Sequence, residues 1–152
     1  MTPAEVSADL RRLALDTPPF DPATPPDEPY GFITEFRQSG AVVTLAAYST
    51  GDVSLYFSTG GGIIGGIGKS EVKELAHSII ESVRPLVSQL EQSAKTEEPG
   101  DGEYCFYLLT PAGRRVCRIN ASGTARADGP EVKLIRLGGA LLTKVRENAS
   151  RA

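Results

Sequence analysis

Residues 58–71 read Ser-Thr-Gly-Gly-Gly-Ile-Ile-Gly-Gly-Ile-Gly-Lys-Ser-Glu, a stretch whose residue types could cradle a phosphate. Glycine backbone approaches a ligand closely, and the free amides at a helix N-terminus attract anions. Gly65, Gly66, Gly68, Lys69 and Ser70 therefore form a candidate anion-binding set. A nucleotide-hydrolysing P-loop needs a glycine, four residues and then Gly-Lys-Ser/Thr, so that successive amides wrap the phosphate and the lysine reaches it. Here that first position is Ile63, with Gly62 one residue too early. No later apolar strand ends in the aspartate that would hold magnesium. The spacing leaves two readings: a simpler anion site, or a flexible joint pinned to the core by Ile63, Ile64 and Ile67. The pattern favours the joint.

A second cluster is basic. Residues 1–102 carry 7 Lys/Arg against 15 Asp/Glu, whereas residues 103–152 carry 9 against 4, so the overall charge of -3 hides an acidic first part and a basic end. Arg114, Arg115, Arg118 and Arg126, with Lys133 and Arg136 beyond them, form a candidate patch for an acidic partner, against the commoner reading of a solvated face. Nucleic acid is a weaker partner class than protein for so short a basic stretch.

Catalytic patterns are sparse. His77 is the one histidine and falls on the polar side of a helical pattern, with Glu81 four residues on. No metal site is expected from it. Cys105 and Cys117 lie in neighbouring strand patterns with the same parity, which predicts a shared sheet face and two reduced, partly buried thiols. There is no Gly-x-Ser-x-Gly elbow and no Cys-His-Asp set. The expectation is a protein that is not an enzyme and needs no cofactor.

The elements that must position these residues follow from periodicity. Thr2, Pro3 and Glu5 spell a helix start, with cap, first position and capping-box acid. Val6, Leu10, Leu13 and Ala14 then recur as one apolar stripe. Six prolines from Pro18 to Pro29 end that helix and predict an extended linker. From Tyr30 the period becomes two: 31–37, 41–48 and 52–58 read as three strands joined by short turns, an antiparallel meander with the doubly apolar 41–48 in the middle. Residues 70–95 predict a long amphipathic helix on Val72, Leu75, Ala76, Ile79, Ile80, Val83, Val87 and Leu90. Pro85 either kinks it or opens a second segment. Residues 103–110 and 114–119 make a hairpin about Pro111 and Gly113, and a closing helix carries Leu137, Leu141 and Val145 on one face. Gly138 and Gly139 weaken that helix unless they serve close packing on the sheet.

The fold class is therefore α+β: a five-stranded antiparallel sheet, built as three-strand meander, long helix and hairpin, with N-terminal, central and C-terminal helices packed on it. Residues 1–29 are expected as N-terminal helix and Pro-rich linker, and residues 30–152 as a single domain. These parts resemble the profilin and roadblock group, which usually places two strands before the middle helix and three after it. Residues 52–66, Asp-Val-Ser-Leu-Tyr-Phe-Ser-Thr-Gly-Gly-Gly-Ile-Ile-Gly-Gly, are similar to a signature of uncharacterised bacterial proteins, a D-x-S-L-Y strand running into a G-G-x-I-I-G-G loop. That resemblance implies a bacterial origin and no particular activity.

At 152 residues with 40% hydrophobic content, one domain can bury a core without disulfides or metals. The absence of a leader-like apolar run or a long apolar span points to a cytoplasmic protein that does not enter membranes. The function expected is a non-enzymatic bacterial protein-interaction or adaptor domain acting through its sheet, its basic hairpin or its N-terminal helix. The alternative is a phosphate- or nucleotide-sensing domain using the glycine-rich loop. A polar edge strand at 52–58 also leaves a homodimer open.

Overall fold

The computed structural model describes residues 1–63, 70–120 and 129–149. Helix α1, Pro3–Leu15, begins where the capping pattern puts it: the Glu5 amide donates to Thr2 Oγ1 at 3.1 Å. Strands β1 (Gly31–Gln38), β2 (Ala41–Tyr48) and β3 (Val53–Phe57) form the meander. A two-residue strand, β4 (Gly62–Ile63), extends it, before helix α2 (Ser70–Val83). Pro85 resolves the two expectations for the long helix: α2 stops, and a 3₁₀ helix, Arg84–Gln89, takes over with the proline in its first turn. Proline has no N–H to donate and its ring crowds the preceding turn, so the α-helical ladder ends before it.

Residues 91–95, expected as helix, instead leave it. Glu91–Gln92 form a short strand, β5, against β7 (Gly113–Asn120), the second strand of the hairpin begun by β6 (Glu103–Thr110). Helix α3, Pro130–Ala149, closes the fold. Among the described residues the sheet runs β4-β3-β2-β1-β6-β7-β5: the five expected strands are present, and a two-residue strand is added at each edge. Every pairing is antiparallel, and meander and hairpin join through β1 and β6.

Both faces of this sheet are covered. On one, Phe32, Leu45, Leu55, Phe106 and Leu108 meet Val72, Ala76, Ile79 and Val83 of α2 and Leu134, Leu141 and Val145 of α3. Gly138 lets α3 come close, because a Cβ there would stand 3.2 Å from the Phe106 ring; Gly139 faces open space. On the other, Ile33, Ala46, Tyr107 and Leu109 meet Ala14 and Leu15 of α1. The residues following β5 run across this second face as an extended strap to Gly102.

Two register details differ from expectation. The hairpin turn holds two residues, Pro111 and Ala112, since Thr110 pairs with Gly113. Cys105 therefore pairs with Arg118 and Cys117 with Phe106, which puts the thiols on opposite faces: Cys105 among the residues under α1, Cys117 against the α2–α3 side. Parity predicts a shared face only with an odd turn. Second, only half of the expected stripe on α1 faces inward. Ala14 is buried with Ser7 and Leu15, and Leu10 packs against them, while Val6 and Leu13 are exposed.

Gly62 adopts φ +144°, and a Cβ there would lie 2.1 Å from the Leu55 carbonyl oxygen of the paired strand. Gly62→Ala is expected to destabilise the fold by about 1–3 kcal/mol, read as a lowered urea midpoint with unchanged slope. An unaltered midpoint would mean that β4 does not constrain the meander.

Candidate functional site at the junction of α1 and the sheet

The chemistry of the strap-facing side centres on Glu35. Local alternation in β1 puts Ile33, Glu35 and Arg37 on one face, and because β1 lies in the interior of the sheet, Glu35 has no solvent to turn to. A buried carboxylate is tolerated only with a counter-charge and hydrogen bonds. Arg11 of α1 supplies both, its Nε and Nη2 donating to the two carboxylate oxygens at 2.6 and 2.8 Å. The Thr44 hydroxyl of neighbouring β2 donates to Oε2 at 2.6 Å. Arg11 Nη2 reaches on to the Thr96 carbonyl of the strap. Burial alone would lower the affinity of Arg11 for its proton, but the hydrogen bond and charge of Glu35 outweigh it and hold the guanidinium above its ordinary range.

The strap itself is fastened by arginines. Arg114 donates to the Ala94 carbonyl, Arg11 to Thr96, Arg118 to Glu97 and Arg37 to Pro99, while Arg115, on the other side of β7, donates to the Leu90 carbonyl just before β5. The chain past β5 has left the sheet ladder, yet its carbonyls still need donors, and a guanidinium offers five N–H groups in a rigid fork. Around this array lie Cys105 and Tyr107 on β6. Burial raises the pKa of Cys105, and more strongly that of Tyr107, whose hydroxyl lies fully enclosed; the adjacent Cys105 thiol adds to the Tyr107 shift. Burial likewise pushes Cys117 up to about 11 and Tyr48 up to about 12. All four stay protonated at neutral pH, which suits packing and hydrogen bonding rather than nucleophilic attack.

The residues singled out in the sequence distribute as follows. Gly65, Gly66, Gly68 and Lys69 lie outside the described residues, as do Ile64, Ile67 and Arg126. Ser70 is the first residue of α2 and is exposed. Arg114 and Arg118 face the strap, whereas Arg115 points to the other side of β7, so these three do not converge. Arg114 is also paired with Asp16 at 2.9 Å, and Arg118 with Glu103 at 3.2 Å. His77 is exposed, and Glu81 pairs with Arg84 at 2.9 Å. Among the described residues no cluster of His, Cys, Asp and Glu could hold a metal ion, and no helix is long and apolar enough to cross a membrane. Sequence reasoning missed Arg11 and Glu35. The available signal was an acid that alternates with Ile33 on one side of a strand.

This chain is an α+β domain with a buried Arg–Glu pair clamping a helix and a strap to its sheet. No family model, curated protein or solved structure matches it.

Arg11→Ala leaves Glu35 charged and unpaired in the interior and is expected to cost about 3–5 kcal/mol in urea unfolding. The double replacement Arg11→Met with Glu35→Leu should recover most of that loss, because a hydrophobic pair of similar volume removes the stranded charge. A double variant as unstable as the single one would show that the pair does more than neutralise itself.

The raised acids also set an alkaline limit. Their folded values exceed their unfolded ones, so the stability they contribute is complete below the ordinary values and declines as pH rises through the shifted ones. The Cys117 contribution is lost between pH 9.0 and about 11, and that of Tyr48 between 10.0 and about 12. Urea midpoints measured across this range should fall from about pH 9 onward, more shallowly in Cys117→Val, where the Cys105 contribution remains. A midpoint constant through pH 11 would contradict the burial of that thiol.

Proposed function

We propose that this chain is a non-enzymatic protein-interaction domain, an adaptor rather than a catalyst, whose contact surface is the outward side of α1. The observation that carries the reading is the placement of Val6 and Leu13, which are 43% and 66% exposed and stand two helical turns apart on one side of α1. Scattered apolar residues on a surface are ordinary, but a pair at heptad spacing on a helix makes a short seam of the kind that helices use to pair. The other two routes open to an interaction domain have less to offer. The sheet presents neither face, since helices and strap cover both. The hairpin arginines donate to the chain's own carbonyls and carboxylates.

The partner we assign to this seam is a second copy of the chain. The seam is self-complementary when two α1 helices lie antiparallel, Val6 of one beside Leu13 of the other. Of the flanking charges, Glu5 lies in the first turn and Arg12 in the last, so the acidic end of one helix meets the basic end of the other. Antiparallel helix dipoles add to it. A contact limited to two short helices lies at the small end of specific interfaces, which suits a transient association. The bacterial origin rests on the resemblance of residues 52–66 alone.

Sedimentation of the full chain over a wide concentration range tests this. Self-association should appear and should weaken in Leu13→Arg and in Arg12→Glu, both surface changes that leave the unfolding midpoint in place. A chain monomeric throughout, or a dimer indifferent to both changes, would remove α1 as the contact surface.

A further inference from the structure

Between α1 and the β2–β3 side of the sheet lies a cavity of about 260 Å³. Leu15 and Phe57 form part of its wall, and Arg11 lines it beside its pair with Glu35. Ser7 and Tyr56 also line it. These residues are 3% and 7% exposed, and among the described residues neither hydroxyl has a hydrogen-bond partner. Both hydroxyls open onto the cavity, where water or a bound molecule can pair them. One from the helix and one from the sheet, they offer a single occupant a bond to each. A third hydroxyl is half committed: Ser58 Oγ accepts from the Val42 amide at 2.8 Å, which leaves its O–H to donate.

The charges around the cavity decide the class of occupant. Arg11 is neutralised by Glu35, Arg12 by Asp9 and Asp16 by Arg114. An oxyanion would find no unpaired cation in the lining, and it would face the carboxylate of Glu98 at the rim. What the lining offers is hydroxyls, which both donate and accept, and the remaining N–H groups of a charge-balanced guanidinium. Neighbouring hydroxyls on a sugar ring match that set, giving and taking a hydrogen bond at each position. The volume sits just below the ~300 Å³ at the lower end of small-molecule sites, so the occupant is of single-ring size.

We infer that this cavity binds a small uncharged polyol of monosaccharide or cyclitol size, held between the hydroxyls of Ser7 on α1 and Tyr56 on β3. An occupant bonded to both bridges helix and sheet, so binding stabilises the docked position of α1. The site is independent of the seam formed by Val6 and Leu13, and the two readings fail separately.

The test titrates glucose and myo-inositol into the full ¹⁵N-labelled chain and follows amide shifts and thermal unfolding, with inorganic phosphate and glutamate as charged comparisons. Saturable shifts at Ser7 and Tyr56 and a rise in unfolding temperature with one of the two polyols are expected. Ser7→Ala and Tyr56→Phe should each weaken that binding about 2- to 12-fold, the range for loss of one hydrogen bond. Both variants keep the fold, since alanine favours the helix and phenylalanine keeps the ring. No saturable shift with either polyol would leave the cavity to water and overturn the inference. So would binding that both variants leave unchanged, or tighter binding of phosphate or glutamate.

Discussion

A charged carboxylate at the centre of a sheet covered on both sides is the constraint on which the rest of this structure depends. Glu35 is fully buried, and its position on β1 between β2 and β6 gives it no path to water. Such a group must be met by a cation with matching geometry or the fold loses several kcal/mol, about 3–5 when a buried pair is broken. Arg11 meets it with a two-pronged contact, and this fixes the rotation of α1 about its own axis. That is why Ser7 and Arg11 face inward beside Leu10, Ala14 and Leu15, while Val6 and Leu13 face out. The ion pair outranks half of the expected stripe. The surface proposed for interaction is a consequence of that order.

The same pair divides the labour between the two faces of the sheet. The α2–α3 face is a conventional apolar core, where Gly138 allows a close helix approach and Phe32 packs on Phe106 with ring centroids 6.1 Å apart. The α1 face is held by polar contacts that reach over long stretches of chain. Arg11 binds Glu35 and Thr96 together, so helix, strand and strap share one guanidinium. Tyr48 and Tyr30 add to this by donating to the Ala14 and Thr17 carbonyls at the end of α1 and just beyond it. Apolar packing is tolerant of small displacements, whereas a network of directed bonds is specific in position and costly when incomplete. A face built that way can carry a cavity lined with hydroxyls without collapsing on it.

What the sequence revealed and what it hid follow from the range of the interactions concerned. The capping box at Thr2 and Glu5, the period-two strands and the apolar face of α2 are local patterns, and all appear where expected. Pro85 ends α2 for a local reason as well. The burial of Glu35 is not local: it arises because β1 pairs with β6 and the strap crosses above, and neither is written near residue 35. The strap was hidden for a related reason. Residues 91–95 are mostly good helix formers, but what holds them comes from a later strand: β7 pairs with Glu91 and Gln92, and Arg114 donates to the Ala94 carbonyl. The cysteine parity failed on a single count, the length of a turn. The same count decides the face of every residue in β7.

The asymmetry of charge along the chain has its meaning inside the molecule. An acidic first part and a basic end look like an invitation to an acidic partner, yet the fold lays one against the other. Arg114 reaches Asp16, and Lys144 of α3 lies 3.9 Å from Glu71 of α2. Each exposed pair of this kind contributes little by itself, about 0–1 kcal/mol. Their joint effect is on register, since like charges would oppose any pairing that slid the hairpin or rotated α3. Arginine serves this better than lysine, because after meeting a carboxylate its remaining N–H groups still satisfy a carbonyl, as Arg114 does at Ala94 and Arg118 at Glu97. The basic end of the chain is thus the complement of its acidic beginning, and the strap between them is the surface on which the two are joined.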